Sequence, residues 1–185
     1  MAIKTFTTGE VLTASDTNTY LANSGLVFIK QQTIGNAVSS VAVTSAFSTD
    51  YDNYRIIISG TVVNLVGSSA FITINGSTGS TYSANGFYMA PSSSTLNGYA
   101  QNQTAVGFWL GVTGGTSSIS FDIMNPFLAK ATNVVGQSAS STGAGYYNTF
   151  MGADSNAASS TGFTVIQTTS NLTGGIITVF GYRKS

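Results

Sequence analysis

From Leu26 onward the chain alternates apolar and polar residues with a period of two. Ile119, Phe121 and Ile123 alternate with Ser118, Ser120 and Asp122. Phe163 and Val165 flank Thr164, while Ile176, Thr178, Phe180 and Tyr182 oppose Ile177, Val179, Gly181 and Arg183. Alternation of this kind puts successive side chains on opposite faces of a strand that buries one face. Val, Ile, Thr, Tyr and Phe also suit a pleated surface. The candidate strands are 26–34, 37–44, 53–64, 69–75, 85–90, 104–112, 117–124, 131–138, 145–152, 162–169 and 175–183, of which one or two are expected not to form.

Turn signals separate these segments. Asn75-Gly76, Asn85-Gly86 and Asn97-Gly98 offer the positive φ angles that tight turns require, as do Gly114-Gly115 and Gly174-Gly175. The stretch from Tyr82 to Gln103, with Pro91 and Ser92-Ser93-Ser94, has the weakest pattern and predicts a long loop. Many short strands at this spacing predict an all-β fold. The expected architecture is a jelly-roll-like antiparallel β-sandwich over residues 26–185, preceded by a short N-terminal arm and helix over residues 1–25.

That N-terminal stretch is patterned differently. Thr13 stands three residues before Asp16, which approximates a capping box. A short helix over 16–23 is expected, with Tyr20 and Leu21 as its apolar contacts and Gly25 as its stop. Val11 and Leu12 precede the cap and can staple the helix entry. So short a helix is marginal alone and must dock on something.

Composition changes the picture mainly by exclusion. Only 6% of the residues are charged, against roughly 25% in an ordinary soluble domain. Lys+Arg and Asp+Glu number 6 each, so the formal net charge is zero. Histidine and cysteine are absent. Ser-His-Asp and Cys-His chemistry, zinc clusters and disulfides are therefore excluded. No enzyme activity and no cofactor are expected. Six basic side chains are too few for a phosphate-tracking surface, so nucleic acid is not an expected partner. The opening carries no signal-peptide core. The most apolar stretch, Ile56 to Val66, is well short of the roughly 20 residues that span a bilayer, so a soluble product without a membrane partner is expected.

Two clusters could bind something. Asp50-Tyr51-Asp52-Asn53 gathers oxygen donors of the type calcium takes, although a solvated turn ahead of a strand explains it as well. Tyr82, Phe87, Tyr88 and Tyr99 gather around the expected loop, and Tyr146-Tyr147 opens a later strand. Tyrosine with Ser, Asn and Gly is the composition of adaptable recognition surfaces. Tyr82, Tyr88 and Tyr99 are the candidates for surface recognition, with rim packing as the plainer reading.

Three segments carry a resemblance. The opening Phe6-Thr7-Thr8-Gly9-Glu10-Val11-Leu12-Thr13-Ala14-Ser15-Asp16-Thr17-Asn18-Thr19-Tyr20-Leu21 resembles the start of many tailed-bacteriophage virion proteins. Thr17 stands where similar openings usually carry an apolar residue. Asp50-Tyr51-Asp52-Asn53-Tyr54-Arg55 with Ile56-Ile57-Ile58 looks like the central landmark of the same β domains. Thr173-Gly174-Gly175-Ile176-Ile177-Thr178-Val179-Phe180-Gly181-Tyr182-Arg183 looks like their closing strand. The resemblance implies a virion-located structural protein, usually a homotrimer, that contacts other capsid or tail proteins. On it, Phe6, Val11, Leu12, Tyr20 and Leu21 are the expected anchor. A fibre-type or tail appendage is the first expectation and a capsid decoration protein the alternative. A carbohydrate-binding module for a host-surface glycan is a further one.

Overall fold

A computed structural model of the chain describes residues 5–17, 25–63, 68–75, 77, 79–89, 95–111, 115–140 and 147–184. Near the start, α1 (Ala14–Asp16) is a single turn. Thirteen strands follow: β1 (Leu26–Thr33), β2 (Ser40–Val43), β3 (Tyr51–Val63), β4 (Ser68–Ile74), β5 (Tyr82–Met89), β6 (Asn97–Gln103) and β7 (Val106–Gly111), then β8 (Thr116–Met124), β9 (Thr132–Ser140), β10 (Tyr147–Asp154), β11 (Phe163–Gln167), β12 (Leu172–Thr173) and β13 (Ile176–Arg183).

The strands form two antiparallel sheets. The large sheet runs β1-β13-β3-β8-β9-β10-β5-β6, with the two-residue β12 also paired to β3. The small sheet runs β2-β11-β4-β7 and covers part of one face of the large one. The fold is therefore all-β and two-layered, as the period-two pattern predicts. Every one of the eleven candidate segments has a strand counterpart, including the one or two expected to fail.

The core between the layers is aromatic. Phe121 of β8 stands at 6.2 Å from Phe163 of β11 in an edge-to-face contact, and at 6.2 Å from Phe150 of β10. Phe163 stacks on Phe47, whose ring lies 4.6 Å from Tyr54. Ile56, Ile58, Ile72, Ile119, Ile123 and Val179 fill the space around these rings. Tyr54 is fully buried, and its hydroxyl accepts the Ser48 N–H at 2.8 Å. It thereby ties the turn ahead of β3 to the strand. Burial raises the Tyr54 phenol above its ordinary value.

Two expectations about loops are corrected. Residues 82–89 and 97–103 are strands β5 and β6, paired antiparallel with Tyr82↔Gln103 and Tyr88↔Asn97 in register. Asn85-Gly86 and Asn97-Gly98 lie inside these strands rather than at turns. Gly86 is buried opposite Phe150, and Gly98 lies beside the Phe87 ring. Both lie in extended strand rather than at a positive φ. Gly174 and Gly175 do turn the chain between β12 and β13, with φ of 66° and 91°.

Candidate functional site

The N-terminal arm holds the capping box. Thr13 Oγ1 accepts the Asp16 N–H at 3.0 Å, and Asp16 Oδ2 accepts the Thr13 N–H at 3.2 Å. Helical geometry thus begins at Ala14, two residues earlier than expected. Thr7 donates its N–H to Glu10 at 3.1 Å, closing a tighter turn before it. Phe6, Val11 and Leu12 are exposed, Val11 at 79%. Tyr20 and Leu21 lie outside the described residues. Gly25 is in the left-handed region, φ 84°.

The three candidate tyrosines do not make one platform. Tyr82 is buried at 3% exposure, with its hydroxyl accepting the Ile74 N–H at 2.8 Å. It is a core residue, which corrects its reading as a surface group. The reason is strand phase: Tyr82, Ala84 and Gly86 face inward and alternate with Ser83, Asn85 and Phe87. Burial raises the Tyr82 phenol above its ordinary value. Tyr88 shares that inward phase and is half-buried. The backbone of Tyr99 pairs with Gly86, and its side chain lies outside the described set.

The residues that do converge lie on the outer face of the large sheet. Ile57, Ser120, Gln137, Thr149 and Phe87 sit side by side in one cross-strand row. A parallel row holds Ile176, Ser59, Ser118, Ala139, Tyr147 and Met89. Leu96 closes one side. Between these rows is a groove of about 610 Å³ with only uncharged residues in its wall. The outward positions of β5 and β10 could have been found from alternation alone, once Tyr82 was phased inward.

The next row carries an ion pair. Arg55 Nε and Nη2 donate to Asp122 Oδ1 and Oδ2 at 2.8 and 2.7 Å, and Tyr182 donates to Oδ1 at 2.8 Å. Partial burial pushes the Asp122 carboxyl up. The hydrogen bonds from Arg55 and Tyr182, with the Arg55 charge, outweigh it, so Asp122 titrates below the usual carboxylate range. The Asp122 hydrogen bond raises Arg55 above its usual value. Burial and then Asp122 raise the Tyr182 phenol.

The acidic segment is already engaged. Asp52 pairs with Lys184 at 2.8 Å, and Asp50 accepts the Ser48 hydroxyl at 3.1 Å. The strand begins at Tyr51, so the segment is half turn and half strand. Among the described residues no three His, Cys, Asp or Glu side chains cluster as metal ligands. No helix among them is long and apolar enough to cross a membrane. Comparison of the chain with family models, curated proteins and solved structures returned no match.

Proposed function

We propose that the chain is a structural protein of a bacteriophage virion, a fibre-type or tail appendage attached through its N-terminal arm and assembled as a homotrimer. The observation that carries this reading is the arm. It has a complete capping box that organises a single turn, yet it exposes Val11 and Leu12. A cap on so short a helix contributes about 1 kcal/mol. That is enough to preset the turn but not to bury its apolar neighbours, which fits an element that completes its packing on another protein. The resemblance of Phe6 to Leu21 supplies the class of that protein. The low-charge β body, with no histidine or cysteine, supports a structural rather than a catalytic role.

Purified phage particles carrying the chain's gene test this. Antibody labelling is expected on the tail or its fibres, and labelling over the head shell would select the decoration reading. Particles free of the chain would remove the virion reading altogether. Val11→Lys with Leu12→Lys is expected to abolish incorporation while leaving the melting temperature of the free protein unchanged, because both side chains are exposed.

A further inference from the structure

We propose that the outer face of the large sheet is the surface through which copies of this chain associate. This rests on the self-assembly proposed above and names the face that would carry it, but it does not depend on the virion location. Among the described residues, thirteen large apolar side chains are exposed. Three are on the arm. Leu26, Phe28, Ile57, Phe87, Met89, Val135, Tyr147, Met151 and Ile176 all lie on this face, and Leu96 lies at its rim. The outer face of the small sheet is the contrast. It presents Ser40, Ala42, Thr73 and Thr164, and its described large apolar side chains, Phe71 and Ile166, are part-buried rather than exposed.

Size favours a protein partner over a small ligand. The apolar positions spread from β1 to β5 and over four rows along the strands. With strands about 4.8 Å apart, the area these positions enclose, together with the Ser, Thr and Gln and the Arg55–Asp122 pair among them, is roughly 700 Å². A stable interface takes about 800 Å² from each partner, so the face is of the size one copy contributes.

Charge favours a second copy over an unlike protein. Arg55 and Asp122 are the charged residues in these rows, and they are closed on each other under Tyr182. The Asp52–Lys184 pair and Arg183 lie only at its Tyr182 edge, so the middle of the face has no net charge with which to repel a second copy. In a closed ring of copies this face packs its apolar side chains against the next copy with no charge to mismatch. The Ser, Thr and Gln between the apolar groups can bond across the contact or to bridging water.

Sedimentation velocity over a wide concentration range tests the proposal. Val135 and Met151 are cross-strand neighbours and both exposed, so Val135→Lys with Met151→Lys leaves the core intact. Tyr147→Lys probes a different row. The wild type is expected to sediment as an oligomer at micromolar concentration. Each variant is expected to weaken association by roughly 100-fold with an unchanged far-ultraviolet circular dichroism spectrum. Ala42→Lys, on the small sheet, is expected to assemble like the wild type.

A wild type that stays monomeric throughout overturns the proposal, as do variants that assemble normally. A monomeric wild type that binds a neutral oligosaccharide, with binding lost in Tyr147→Ala, assigns the groove to a sugar and also overturns it. A wild type that assembles through this face but is missing from particles leaves this inference standing and removes the virion reading.

Discussion

Arg55 and Asp122 face each other directly across β3 and β8, joined by two hydrogen bonds of 2.8 and 2.7 Å. Tyr182 reaches over from β13 to the same carboxylate, so one acidic group ties three adjacent strands. Both charged side chains are partly solvated, at 38% and 21%, so screening limits the gain. Asp122→Asn is expected to cost about 1 kcal/mol at neutral pH. Asp122 is held below its ordinary range when folded. Its contribution is therefore complete above the unfolded value of about 4 and is lost as pH falls through the lower folded value. Wild-type stability should fall below about pH 4 more steeply than that of Asp122→Asn. Parallel denaturant curves for the two proteins at neutral and acid pH check this.

Gly136 sits in register between Phe121 and Phe150, the two rings that anchor the large sheet's inner face. An added Cβ there would meet Phe121, the Phe150 ring and the Ser120 carbonyl inside van der Waals distance. Gly136→Ala is expected to cost about 2–3 kcal/mol, the scale of core overpacking. Phe150→Leu in the same chain removes part of the clash, so the double variant should be more stable than the sum of the two singles implies. Thermal melts of the four proteins give the coupling.

The strands were legible because their inner faces alternate cleanly. Ile119, Phe121 and Ile123 are all buried, as are Ile177 and Val179. The capping box was legible from Thr13 and Asp16 alone. What the sequence hid was phase and use. Asn85-Gly86 has the residues of a turn, but it lies inside β5, with Gly86 paired to Phe150. The weak pattern from Tyr82 onward predicts a loop with a strand only from Asn85, which places Tyr82 outside the strand and on the surface. The candidate face was hidden for another reason. Its rows join residues from seven strands, and Ile57, Gln137 and Phe87 become neighbours only through register. Nothing local in the chain encodes that register.

Asp50 and Asp52 have the oxygen chemistry of a calcium site, but their engagements compete with one. Asp52 would have to give up Lys184, and Asp50 the Ser48 hydroxyl. Millimolar calcium is expected to leave the melting midpoint unchanged. A rise of several degrees at saturating calcium would show that the pairs open to admit the ion.

Tyr82→Phe separates structure from recognition at the residue the sequence placed on the surface. The Ile74 N–H lies in the core and donates to the Tyr82 hydroxyl at 2.8 Å. Deleting the hydroxyl keeps the ring and its packing but strips this N–H of that acceptor. An unsatisfied buried donor costs about 1–3 kcal/mol. The variant should therefore melt lower by roughly 2–12 °C, given about 2–4 °C per kcal/mol at this chain length. Because the group is internal, assembly should be unchanged at temperatures where the variant remains folded. Equilibrium denaturation and sedimentation of the same sample measure both. An undiminished melting temperature would mean that another acceptor replaces the hydroxyl, and a loss of assembly without a loss of stability would return Tyr82 to the surface.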